Sequence, residues 1–186
     1  MATKTLFWEH PADEVWEQGD RGKYEPPKRP NWKLLDAVIY TDGSCEPNPG
    51  PAAYAFVVVM GDKVVHREAR YMGAGTNNEA EFMGVLEAMR FAKERGLQRI
   101  EIRTDSQLFV NCASGYWGLY KERLCVLMEQ VDALKRKFKG CAFRWIPRAY
   151  NTLADELAED ARAFGAVKRE GDVRVVWAWG KHEPTV

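Results

Sequence analysis

The chain has 186 residues, 46% of them hydrophobic, and its 27 basic and 27 acidic side chains cancel to a formal net charge of zero. That length suits one cored domain with extensions, and the neutral balance excludes any argument for nucleic-acid binding from bulk charge, so such a case rests on local residues. No apolar run approaches the ~18 residues of a membrane span, the acidic start lacks the apolar stretch of a signal peptide, and Cys45, Cys112, Cys125 and Cys141 form no CxxC pair, which points to reduced thiols in the cytoplasm.

Residues 1–35 read as an extension. They carry Trp8, Trp16 and Trp32 and, within five residues, the prolines Pro26, Pro27 and Pro30, with six basic and six acidic residues over the whole extension. Ala37 to Thr41 is a short apolar run, which Asp42-Gly43-Ser44 is expected to stop. Residues 47–51, PNPGP, make a rigid turn. Tyr54 to Met60 is strongly β-prone, Gly61-Asp62-Lys63 suits a hairpin loop, and Val64 to Tyr71 returns. Asn77 and Asn78 are expected to cap a helix reaching about Arg95, with Phe82, Val85, Met89 and Ala92 on its buried stripe.

Ile100 and Ile102 belong to a fourth strand ending at Asp105. A short helix over 106–112 and a long helical pattern over 119–138 follow. Ala142 to Ile146 is a fifth strand, with Trp145 expected in the core. Leu153, Leu157, Ala161 and Phe164 mark a last amphipathic helix. Residues 173–179 either add a strand or pack on the domain. The order β-β-β-α-β-α-α-β-α implies an α/β fold: a mixed five-stranded sheet, antiparallel meander plus parallel strands, flanked by helices.

Four acids fall at element ends: Asp42, Glu81, Asp105 and Asp155. Strand ends and helix starts of α/β sheets gather at one crevice. Carboxylates converging there repel one another, and some stay protonated at neutral pH unless cations enter. Divalent cations favour such oxygen ligands, and a pair of them suits in-line phosphoryl displacement. Each acid also has a local reading: a turn for Asp42, helix-dipole chemistry for Glu81 and Asp155, a cap for Asp105.

The segments Tyr40-Thr41-Asp42-Gly43-Ser44-Cys45 with Pro47-Asn48-Pro49-Gly50-Pro51, Thr76-Asn77-Asn78-Glu79-Ala80-Glu81, Thr104-Asp105-Ser106-Gln107, and Asn151 to Ala158 resemble, in order, the four motifs of type 1 ribonucleases H. The resemblance spans about residues 36–164. It implies a catalytic domain over 36–164 between extensions 1–35 and 165–186, and a monomeric endonuclease needing no protein partner. That enzyme cuts the RNA strand of RNA–DNA hybrids, leaving 3′-hydroxyl and 5′-phosphate ends. It implies that Asp42, Glu81, Asp105 and Asp155 are the catalytic metal ligands for two Mg²⁺, with Mn²⁺ substituting. Asn48, Asn77 and Gln107 match RNA-strand contacts. Amides both donate and accept, as a 2′-hydroxyl does. Thr76 and Asn78 match DNA-phosphate contacts.

The chain also departs from the family pattern. No His stands in the loop before the last helix, where Arg148 is the candidate phosphate or product-release contact and His182 in the tail a second candidate. No basic protrusion appears between 118 and 128, as in a short-loop subgroup. The densest basic run is Lys135, Arg136, Lys137 and Lys139, and Glu79 occupies a place where a basic residue often helps hold the DNA phosphate. The rival readings are a DNA nuclease on the same sheet and a non-catalytic nucleic-acid-binding domain.

Overall fold

The structure, a computed structural model, describes residues 30–167 and 174–177. Strands β1 (Ala37–Cys45), β2 (Gly50–Met60) and β3 (Lys63–Gly75) form the antiparallel meander. Helix α1 (Asn77–Glu94), strand β4 (Arg99–Thr104), helices α2 (Gln107–Ala113) and α3 (Glu122–Lys135), and strand β5 (Gly140–Trp145) follow. A single 3₁₀ turn (Arg148–Tyr150), helix α4 (Thr152–Val167) and strand β6 (Arg174–Trp177) complete the order. The sheet runs β5-β4-β1-β2-β3-β6. β4 lies parallel to β1 and β5 parallel to β4. The expected five-stranded mixed sheet is thus present, and β6 extends it by pairing antiparallel with β3.

The central strands are buried on both faces, so they read as continuous apolar runs rather than alternating ones. Along β1, Ala37 and Ile39 pack with Phe82, Val85 and Met89 of α1. Val38 and Tyr40 point the other way, toward Tyr150 and Ala154. That split is the two-residue period of a strand. Small side chains let α4 approach closely: Ala158 and Ala161 meet Ala53, Ala55 and Ala69 of β2 and β3. The β2–β3 hairpin turns on Gly61 and Asp62, both with positive φ (51° and 68°), the two-residue geometry that matches strand twist.

Several boundaries differ from the sequence reading. β1 does not stop at Asp42. It continues to Cys45, pairing Asp42 with Ala55 and Cys45 with Ala52. Gly43 serves a helix rather than a turn. A Cβ there would lie 2.3 Å from the backbone nitrogen of Glu81 and 2.5 Å from the backbone carbon of Ala80, so glycine lets α1 lie against the strand. The α1 cap is Thr76, not Asn77 or Asn78. Its hydroxyl accepts from the Glu79 amide while the Glu79 carboxylate accepts from the Thr76 amide, a reciprocal capping box. Helix α3 is shorter than the 119–138 pattern, running from Glu122 to Lys135. Trp145 is not a core residue. It ends β5 half-buried, its indole N–H donating to the Asp105 carbonyl at 3.1 Å. Phe164 remains 39% exposed.

The basic run 135–139 sits where β4 and β5 begin, with the Lys139 amide on the Gln98 carbonyl, at the far end of β4 from Asp105. Trp32 donates to Asp62 at 2.6 Å. Trp8, Trp16, Pro26, Pro27 and His182 lie outside the described residues. Among the described residues no helix is long and apolar enough to cross a membrane.

Candidate active site

The parallel pairing of β1 with β4 ends at Thr41 and Thr104. Asp42 and Asp105 are the next residues on those neighbouring strands. β1 goes on with β2 alone, so a crevice opens where the sheet changes from parallel to antiparallel partners. Glu81 enters it from the second turn of α1, brought close by Gly43. Asp155 enters from the first turn of α4. The cavity is about 390 Å³ and polar, and its wall includes all four acids together with Asn48, Asn77 and Arg148. A neighbouring depression of about 430 Å³ shares Glu81, Asp105 and Arg148 and adds Asn78, Gln107 and Trp145. Thr76, expected at a DNA phosphate, lines neither; its hydroxyl is engaged with Glu79.

Three of the acids accept hydrogen bonds from neighbouring side chains. Glu81 accepts from Asn77 Nδ2 at 2.9 Å and from the Ser106 hydroxyl. Asp105 accepts from Asn151 Nδ2 at 3.0 Å. Asp155 accepts from Arg148 Nη2 at 2.6 Å, and Arg148 also reaches Glu159 at 3.4 Å. Asp42 is 4% exposed. Burial pushes its carboxyl up to about 9, helped by the charges of Asp105, Asp155 and Glu81. Burial also pushes Glu81 up to about 7, with Asp105 adding to it while Ser106 and Asn77 oppose it. The hydrogen bond to Asp155, then its charge, raises Arg148.

Among the described residues no three metal-binding side chains are drawn into ion-holding geometry as they stand. The donor set nonetheless fits a hard divalent cation: it is all carboxylate oxygen, crowded enough that one acid stays protonated without positive charge beside it. Asp42, Glu81, Asp105 and Asp155 would be the residues to hold such a cation.

Sequence reasoning assigned no role to Asn151, Ser106 or Arg162. Asn151 is fully buried and its Nδ2 bridges the Thr41 carbonyl at 2.9 Å and Asp105. It thereby joins β1, the end of β4 and the start of α4. Its position in the fourth motif was the available signal. Ser106 had a local one, since it also caps α2 through the Phe109 amide. Arg162 had none.

A family profile described as Reverse transcriptase-like matches residues 40–161. A bifunctional protein of Mycobacterium tuberculosis is 36% identical over 140 residues, covering 74% of this chain and 38% of that protein. The solved N-terminal RNase H domain of the same protein superposes with a TM-score of 0.69 at 36% identity, covering 73% of this chain and 99% of that one. Ribonuclease HI of Halobacterium salinarum is 36% identical over 123 residues, 66% of this chain and 62% of the relative. The structure of LC11-RNase H1, solved in complex with an RNA/DNA hybrid, gives a TM-score of 0.67 at 29% identity, covering 70% of this chain and 99% of that one. The fold and the carboxylate crevice define an α/β domain of the nuclease kind. The chain belongs to the ribonuclease H family. It spans about two fifths of the length of the mycobacterial relative.

Proposed function

We propose that the chain is an endonuclease that hydrolyses the RNA strand of RNA–DNA hybrids. The observation that carries this reading is the single cavity on which Asp42, Glu81, Asp105 and Asp155 converge, rimmed by Asn48 and Asn77. Asp42, Glu81, Asp105 and Asp155 hold two Mg²⁺ ions, with Mn²⁺ able to substitute, and these when bound supply Lewis acidity for in-line attack of water on the scissile phosphate, leaving 3′-hydroxyl and 5′-phosphate ends. Asn48, Asn77 and Gln107 meet the RNA strand, where an amide answers a 2′-hydroxyl in both directions.

Asn78 holds a DNA phosphate. Thr76 joins it once its hydroxyl exchanges Glu79 for the phosphate. Arg148 stands over Asp155 as a cation exposed over 67% of its side chain, for a phosphate or for product release. The catalytic unit is residues 36–164, with 1–35 and 165–186 as extensions, acting as a monomer in the cytoplasm.

The deciding experiment is cleavage of a labelled hybrid in Mg²⁺, beside single-stranded RNA, duplex DNA and an Asp42→Asn control. Cutting of the hybrid alone, abolished by the substitution, is expected. Cut duplex DNA points instead to a DNA nuclease, and a bound but intact hybrid to a non-catalytic binding domain.

A further inference from the structure

Arg162 stands outside every motif, and nothing in the proposed chemistry uses it. It projects from α4 into the wall of the carboxylate cavity, its side chain only 18% exposed. Its Nε donates to the Ser44 hydroxyl at 2.8 Å, across 118 residues of chain, and its Nη2 lies 3.3 Å from Glu46 Oε2. Ser44 follows Asp42 by two residues on β1 and therefore shares its face. Glu46 opens residues 46–49, which join β1 to β2 and carry Asn48.

That loop is tethered on two sides. Toward α1, Asn48 Oδ1 accepts the Asn77 amide at 3.2 Å, and Asn77 in turn holds Glu81. Toward α4, Arg162 holds both the last turn of β1 and the loop's first residue. The loop's own neck is closed by Glu46 N–H on the Pro51 carbonyl at 3.2 Å. The two arms of Arg162 are unequal. The Glu46 arm ends on a side chain 77% exposed, where an ion pair adds little. The Ser44 arm is half-buried and charge-assisted, the stronger kind of bond. A planar fork offers each of them its own fixed nitrogen, whereas a lysine must reach both from one.

We propose that Arg162 is a positioning residue that fixes the 46–49 loop so that Asn48 meets the ribose strand, and thereby sets affinity for the hybrid. The inference rests on the RNA-strand role proposed above for Asn48. It names a residue that acts through another rather than on the reacting atoms.

The test is steady-state cleavage of a labelled hybrid in Mg²⁺ by the wild type, Arg162→Ala, Arg162→Lys, Asn48→Ala and the double variant Arg162→Ala/Asn48→Ala, with thermal unfolding of each. Arg162→Ala is expected to raise KM by about 5- to 30-fold while kcat stays within about twofold. Arg162→Lys recovers only part of the loss. The double variant is no worse than Asn48→Ala, because the two residues act in series. An unchanged KM in Arg162→Ala overturns the proposal. So do additive losses, or full recovery by lysine, which indicates direct attraction to a phosphate instead. Where Arg162→Ala does not fold, Ser44→Ala removes the stronger arm and leaves the guanidinium in place. The same KM rise then supports the proposal and an unchanged KM overturns it. A wild-type chain that leaves the hybrid uncut refutes the function itself and this inference with it, a result distinct from loss in the variants alone.

Discussion

Replacing Asp42 by Asn is expected to abolish cleavage and yet to stabilise the metal-free protein at alkaline pH. The carboxyl is buried at 4% exposure among three other acids. Its folded-state pKa lies near 9 against an ordinary 3.8. A raised value means that the folded state keeps a proton the unfolded chain has lost, so stability is full below pH 4 and falls as pH climbs toward 9. At pH 8 that spans roughly 4 pH units at about 1.36 kcal/mol each, an upper limit near 6 kcal/mol.

Asn removes this penalty and introduces a buried amide costing about 1–3 kcal/mol. A net gain of about 2 kcal/mol, well inside that limit, is expected, or about 4–8 °C in Tm for a chain of this size. At pH 5 the same reckoning gives only about 1–2 kcal/mol, offset by the amide, so the two proteins melt together. Adding Mg²⁺ stabilises the wild type more than the variant, because a ligand stabilises the state that binds it. The assay is thermal unfolding in chelator and in Mg²⁺ at pH 5 and pH 8. A variant no more stable than the wild type at pH 8 in chelator, or a gap equal at both pH values, refutes the reasoning.

Gly43→Ala should destabilise the fold by about 3 kcal/mol or more, since its Cβ meets helix backbone rather than a flexible side chain; denaturant unfolding measures this, and wild-type stability would mean that α1 does not lie against β1. Asn151→Ala leaves a fully buried carbonyl at Thr41 and one Asp105 oxygen without their donor, so a loss of about 2–3 kcal/mol is expected, together with reduced kcat; an unchanged melting curve contradicts the bridging role. Arg148→Ala removes an exposed pair, so stability should move by less than about 1 kcal/mol while turnover falls; pre-steady-state bursts against steady-state rates tell whether the lost step is product release. With Glu79 in the phosphate region, the logarithm of KM should rise shallowly with the logarithm of salt concentration, by about one phosphate contact or two, and a steep slope measured on the same hybrid rejects this.

The acids, their order and the element types could be read from the chain alone. Asp42, Glu81, Asp105 and Asp155 were legible because each sits in a short motif at the end of a strongly patterned segment, and the β-runs and helical stripes are local properties of a few consecutive residues. The hairpin at Gly61 was equally local. Tertiary structure alone decided the rest. That β1 runs on past Asp42 depends on β2 pairing beside it, which no window around Asp42-Gly43 contains. The purpose of Gly43 depends on a helix that begins 34 residues later. The choice between strand and packed tail for residues 174–177 depends on the free edge of β3.

The same holds for the groups that hold the site. Asn151 reaches Thr41 across 110 residues and Arg162 reaches Ser44 across 118. Trp145 left its expected place in the core because β5 ends beside Asp105, where an indole N–H finds a carbonyl. Periodicity reports which face of an element is apolar, whereas hydrogen bonds between distant elements exist only once the chain has brought them together. For that reason the reacting groups could be named from the sequence, and their supports only from the fold.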